Sequence, residues 1–345
     1  MAKSVATIRR DRESGASLVE ILVAMAIAGL VLAAGASFFE SSQKTAGTES
    51  AVLSLERQAD RIHNLLATQI ENAGFGFPQS CGESAVLSDW PGMTGPTGGN
   101  TWYSMAGTSS GGLSWISSAN SLGNVAVASI TDMPSMNSDS FQVSTVANLS
   151  DGEGLAAEVP GLACFVSYIH SLSTSSGQEV TYVKLPNGSW GDLAQAAGVS
   201  VSAAQMLGAR VYGLGNIVAR NLELNGNALQ ETLSGQETNW QPQTVTLSNR
   251  VLAWQVQVAT GSPLQWESAA TWESNAAQGN APSILAVQIG MVLASQNQYP
   301  GAQTPTQVSL LGNAIPVSSA WSGHLLQSFV WTFPVPNNLW SAGNA

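Results

Sequence analysis

The chain reads as an α+β protein in which one long N-terminal helix, with a membrane half and an amphipathic half, packs on an antiparallel β-sheet domain. Three observations carry that reading. The apolar run from Leu18 to Phe39 contains one charge, Glu20. Apolar residues then recur every three or four positions as far as Ile70. Beyond Gly74 and Gly76, short alternating segments divided by turn residues take over.

At about 1.5 Å per residue, Leu18–Phe39 makes a helix of roughly 33 Å, enough to cross a hydrocarbon core of about 30 Å. The leader before it carries Lys3, Arg9, Arg10 and Arg12, which hold it on the cytoplasmic side. A carboxylate inside such a helix costs a few kcal/mol and calls for a partner, yet the run contains no Lys or Arg. Cleavage after Gly15 would supply one, by freeing the α-amino group of Ala16. Ala16 and Glu20 are four apart and share a helix face. The new ammonium and the carboxylate could pair within one chain or across to a neighbour. Pairing across chains would set axial register in an assembly of such helices.

The second half repeats at helical spacing through Val52, Leu55, Ala59, Ile62, Leu66 and Ile70, with Glu56, Arg57, Asp60 and Arg61 between them. One helix is predicted from about Ser17 to Asn72, its later apolar stripe laid on a sheet. Gly29 and Gly35 are weak points in the membrane half. Gly74, Gly76 and Pro78 end the helix.

From Phe75 to about Asn124 the chain is rich in Gly, Ser and Thr and reads as long loops with short strands. Most of the 11 tryptophans are expected to be core pins rather than sugar-binding platforms. Trp90, Trp102 and Trp115 are the candidates for exposure, because they lie in this loop-rich part. Strand-like alternation follows at 125–130, 141–147, 164–169 and 180–185, with Pro186-Asn187-Gly188 as a turn. The Ala-rich segment 192–208 suits one or two short helices. Strands at 211–224 and 229–233 flank Asn225-Gly226-Asn227, a hairpin signal. In 245–259, Leu252, Trp254, Val256 and Val258 are expected on one face. The apolar strand 284–294 is expected to be central, and 325–333 is the last strand.

The basic leader, Gly15, four intervening residues, Glu20 and the long apolar run together resemble the class III signal of type IV prepilins and pseudopilins. The resemblance implies cutting after Gly15 by prepilin peptidase, methylation of the Ala16 amine, and use of Glu20 in filament assembly. It divides the chain into a cleaved leader (1–15), a transmembrane and assembly helix (16–40), the amphipathic half of that helix (41–74) and a periplasmic or extracellular β-rich domain (75–345). The body more weakly resembles the PilW family of minor pilins, at Glu71-Asn72-Ala73-Gly74-Phe75-Gly76, around Asn225-Gly226, and in the strands 249–256 and 286–289. A minor pilin that primes or caps a type IV pilus is implied. Its partners would be other minor and major pilins, prepilin peptidase, the inner membrane and the pilus assembly platform. It would sit in the inner membrane as a single-pass protein before reaching the pilus. A minor pseudopilin of a type II secretion system fits the same signal. An exported binding or hydrolytic domain, with an ordinary signal peptide cut at Ala34-Gly35-Ala36, is the rival from another class.

Only 10% of the residues are charged, and the net charge is −11. Loss of the leader leaves 7 basic and 20 acidic side chains, a net −13. Such a surface argues against a broad nucleic-acid patch. In an oxidising compartment the two cysteines, Cys81 and Cys164, favour one disulfide. It would close a long loop and contribute on the order of 4 kcal/mol; two unpaired buried thiols are the alternative.

No cofactor or metal is expected, and no catalytic residue. Gly107-Thr108-Ser109-Ser110-Gly111 has nucleophile-elbow spacing but sits in a polar low-complexity stretch without the strand–turn–helix context. His63, His170 and His324 are far apart. Asp151-Gly152-Glu153-Gly154 offers too few oxygens for calcium and reads as a solvated turn. The chain has no phosphate-binding Gly-Lys loop.

Overall fold

The computed structural model describes residues 18–78, 84–87, 101–118, 126–160, 162–174, 178–182, 189–196, 200–235, 241–278, 282–299 and 302–336. The chain divides into two compact units, residues 1–51 and 52–345. Helix α1 (Leu18–Glu71) is continuous through Gly29 and Gly35 and contributes its first part to one unit and its second to the other. Gly74 takes a left-handed φ of 70°, which a side chain would strain, and its N–H donates to Ile116 O at 2.7 Å. The helix stop is thereby tied to the sheet beyond it.

Among the described residues the second unit is built from 19 strands, three further α-helices and one 3₁₀ turn, Ser319–Trp321. In chain order they are β1 (Ser84–Leu87), β2 (Thr101–Tyr103), β3 (Met105–Gly107), β4 (Leu113–Ser118), β5 (Ala128–Asp132), β6 (Ser140–Val143), β7 (Gly154–Val159), β8 (Ala163–Ser173) and β9 (Glu179–Tyr182). Then come α2 (Trp190–Ala196), α3 (Ala203–Met206), β10 (Arg210–Gly215), β11 (Ile217–Asn225), β12 (Ala228–Gly235), β13 (Gln243–Ser248), β14 (Val251–Thr260) and β15 (Gln265–Ser268). The chain continues through α4 (Ala269–Ala277), β16 (Ile284–Gln298), β17 (Gln307–Leu310), β18 (Asn313–Pro316) and β19 (His324–Pro334).

Two sheets receive the second half of α1. One has the order β13-β12-β11-β4-β3 and the other β15-β14-β16-β19. Leu55, Ala59, Ile62, Leu66 and Ile70 form one buried cluster with Trp115 and Leu222 of the first sheet and with Val258, Val287, Ile289 and Phe333 of the second. The expected stripe is observed from Leu55 to Ile70, while Val52, expected in it, is 38% exposed; the long helix on an antiparallel β domain is as read. β16 is central and β19 lies on its far edge. The Asn225-Gly226-Asn227 hairpin is present, with Asn225 opposite Ala228.

Residues 119–216 are an excursion between two adjacent strands. Ser118 at the end of β4 and Ile217 at the start of β11 are register partners. Between them, β7-β8-β9-β6-β5-β10 pair in turn and β10 pairs back to β7, so six antiparallel strands close into a small barrel. Its interior holds Ile130, Phe141, Phe165, Val180, Val211 and, from α2, Trp190. The ring of Trp190 stacks on Phe165 with centroids 5.7 Å apart. The outward residues Ala156, Val166 and Tyr212 pack against Ile116, Ile217 and Ala219 of the five-stranded sheet. That sheet is therefore covered by α1 on one face and by the barrel on the other.

Several expectations are corrected. The stretch 211–224 is two strands in two sheets, broken at Asn216. The stretch 245–259 is likewise divided between β13 and β14. A bulge between Val251 and Ala253 turns Leu252 to the opposite side from Trp254, Val256 and Val258. Among the described residues one pairing is parallel, that of β1 with β8. Cys164 is disulfide-bonded and buried against the five-stranded sheet. Cys81 lies outside the described residues, as does the turn Pro186-Asn187-Gly188.

Candidate assembly helix

The first half of α1 is apolar on every side, and none of that side-chain surface is buried within the chain. Leu18, Leu30, Leu32 and Phe38 are 74%, 72%, 74% and 75% exposed. A helix that is hydrophobic all round belongs in an apolar surrounding, because water contact over such an area is unfavourable by about 25 cal/mol per Å². This segment is long and apolar enough to cross a membrane. Glu20 is the acidic residue of its first turn. Gly15 and Ala16 lie outside the described residues. The polar character begins at Glu40, whose carboxylate meets Lys44 Nζ at 2.7 Å one turn on.

The second half carries the opposite arrangement. Beside its apolar stripe, Gln58 Nε2 donates to Ser248 Oγ at 2.8 Å, and Gln69 Nε2 donates to Glu231 Oε1 at 2.9 Å. Glu231 is 4% exposed, and its charge is met by Arg220 Nη1 at 2.5 Å. His63 is wedged between Trp331 and Phe333, with ring centroids 5.5 and 5.3 Å away. These contacts fix the rotation of residues 52–71 on the sheets. The Gln69–Glu231–Arg220 contacts were not read from the sequence. Their one signal was a cross-strand acid and base in the hairpin Ile217–Gly235.

The other candidates resolve into structural roles. Residues 107–111 form the turn between β3 and β4, with no helix following. Thr108 Oγ1 accepts from Gly112 N at 2.9 Å, and Ser109 is exposed. The three histidines stand on α1, β8 and β19. His170 is exposed, and His324 Nδ1 lies 2.8 Å from Ser295 O. Among the described residues no three His, Cys, Asp or Glu side chains come together as a metal site.

Two side chains depart from expectation. Glu153 is not part of a solvated turn. Its Oε1 is buried without a hydrogen-bond partner, and burial pushes its carboxyl above the usual range. Trp115 is 0% exposed, because β4 lies inside its sheet and faces α1. Trp90 and the side chain of Trp102 lie outside the described residues. Among the described residues the exposed tryptophan is Trp266, at 42%.

Residues 10–36 match the prokaryotic N-terminal methylation motif. That stretch holds Gly15, Ala16 and Glu20 together with most of the apolar run. No curated protein matches the chain. Among solved structures it is similar to a type IV-like pilin from Thermus thermophilus, at 12% identity over 55% of this chain and 85% of that one, with a TM-score of 0.23. At so low a score the architecture rests on the sheets described above. The methylation motif and the apolar helix together support a prepilin-type N-terminus and anchoring by a single span.

Proposed function

We propose that this chain is a minor pilin that primes or caps a type IV pilus, and that its work is mechanical rather than catalytic. The observation that carries the reading is an uncovered apolar half-helix, continuous with a half that is docked on its own domain. Prepilin peptidase removes residues 1–15, and the Ala16 amine is methylated. The protein waits in the inner membrane with its β domain in the periplasm, and it meets other minor and major pilins and the assembly platform there. In the filament, Glu20 of one subunit faces the terminal ammonium of its neighbour. Two unlike charges that leave water together cost far less than a carboxylate left alone.

The stretches at 71–76, 225–226, 249–256 and 286–289 support a PilW-like body. The barrel at residues 119–216 adds bulk to the head, which suits a cap position better than a repeated shaft position. Cys81 is the partner of Cys164 in this reading, tying the segment after α1 to β8.

The test is Glu20→Ala, with filaments sheared from cells and the membrane fraction both probed for the protein. Unchanged amounts in the membrane, unchanged leader removal and loss from the filament fraction are expected. Normal incorporation of the variant would remove the register role. Deletion that abolishes protein secretion while sparing surface pili would move the chain to the pseudopilins of a type II secretion system.

A further inference from the structure

We infer that the outer face of the four-stranded sheet binds a neutral glycan. This site is separate from the assembly helix and stands whether or not the assembly reading holds.

Residues paired in antiparallel register share a face of the sheet. Val258, Val287 and Phe333 pair in turn and lie in the core beneath α1. The next positions along, Gln257, Gln288 and Thr332, therefore point outward, and Ser268 joins them from β15. These four form one row across all four strands, about 14 Å long at the usual strand spacing. Gln288 Nε2 donates to Thr332 Oγ1 at 3.3 Å, so part of the row is already aligned. The adjacent row on the same face is Trp266, Ala259, Ala286 and Pro334. Ala259 is buried and Ala286 half-buried, so the part of this row open to a ligand is the exposed indole of Trp266, with Pro334 at the far end. On the other side of the polar row lie Gln255, Gly290 and Val330. There the β17–β18 hairpin rises as a wall. Leu310 and Leu311 sit so close over Gly290 that a Cβ would fall 2.8 Å from Leu310 Cγ. Asn313 Nδ2 of the same hairpin donates to Gln255 Oε1 at 3.2 Å.

The chemistry of this face selects its occupant. None of these residues is charged, so an ionic ligand would lose hydration without a counter-charge. Each amide offers donors and an acceptor side by side, and each hydroxyl offers both. Adjacent sugar hydroxyls present the same alternation, and the apolar face of a pyranose ring suits the indole of Trp266. A nucleic acid finds no Lys or Arg here. A protein partner would look for a contiguous apolar centre, whereas Trp266 and Val330 are separated by the polar row. Trp266, exposed among the described residues, thus stands where sequence composition did not place it, at the head of a neutral platform.

The test is titration calorimetry of the full chain in a zwitterionic detergent free of sugar head groups. The probes are neutral linear hexasaccharides of glucose and of N-acetylglucosamine, and an acidic uronate hexamer. Binding of a neutral hexamer is expected, weakened at least about tenfold by Trp266→Ala and by Gln288→Ala, with the melting temperature unchanged. The uronate should not bind. No binding of any neutral hexamer, equal binding by both variants, or a preference for the uronate would overturn the assignment. So would self-association that Trp266→Ala abolishes, which would make the face a contact between copies. Leader processing is independent of every one of these outcomes.

Discussion

The two halves of α1 are one helix with the same backbone and two different surroundings. Leu30 and Leu66 are chemically identical, yet Leu30 is 72% exposed and Leu66 is fully buried. The first half has an apolar side chain facing every direction, so nothing in it specifies a rotation about the helix axis. The second half has one apolar stripe, flanked by Gln58, Gln69 and His63, each held by a named neighbour. Packing of the second half depends on its own chain. That of the first half depends on whatever surrounds it, and Glu20 is the feature there that can define a register.

Matched substitutions separate the halves. Leu66→Ala removes a side chain from a closed core and should cost about 4 kcal/mol of domain stability, read as a fall in thermal or denaturant midpoint. Leu30→Ala should leave that midpoint where it is. If Leu30→Ala were equally destabilising, the contrast would fail. Glu231→Ala strips Arg220 of its counter-charge and Gln69 of its acceptor. Arg220 keeps some contact with water, its side chain being 24% exposed, so the expected loss is about 2–3 kcal/mol. Glu20→Ala should not shift the midpoint at all. Gly74→Ala strains the left-handed helix stop and should cost about 1 kcal/mol. A larger loss there would mean that the Gly74–Ile116 bond anchors more of the second half than the helix end alone.

Much of this was legible from residue order. The helix and its limits follow from periodicity and from Gly74 and Gly76. β16 and β19 follow from apolar alternation, and the 225–227 hairpin from its turn residues. The barrel was not legible. Its strands alternate as any half-buried strands do, and alternation states which residues share a face but not which strand lies alongside. The pairing of Ser118 with Ile217 is the fact that makes 119–216 an excursion, and no local signal marks a contact across that distance. Trp115 was misplaced for a related reason. The stretches on either side, Ser109-Ser110-Gly111-Gly112 and Ser117-Ser118, look like loop, while its burial is imposed by α1 and by β3 and β11 beside it. Leu252 went to the wrong face because a bulge shifts the period by one. Of the candidate assembly site, Glu20 and the apolar run were evident at once. The Gln69–Glu231–Arg220 anchor required three elements to be brought together.

This apolar half-helix is proposed to stay on the mature protein as its means of assembly, behind an amine created by cleavage. Sequencing and mass measurement of the N-terminus of protein taken from membranes and from sheared filaments tests it most directly. The expected mature chain begins at Ala16 with a methylated amine and retains Leu18–Phe39. A mature chain that begins at Ser37 would contradict that proposal.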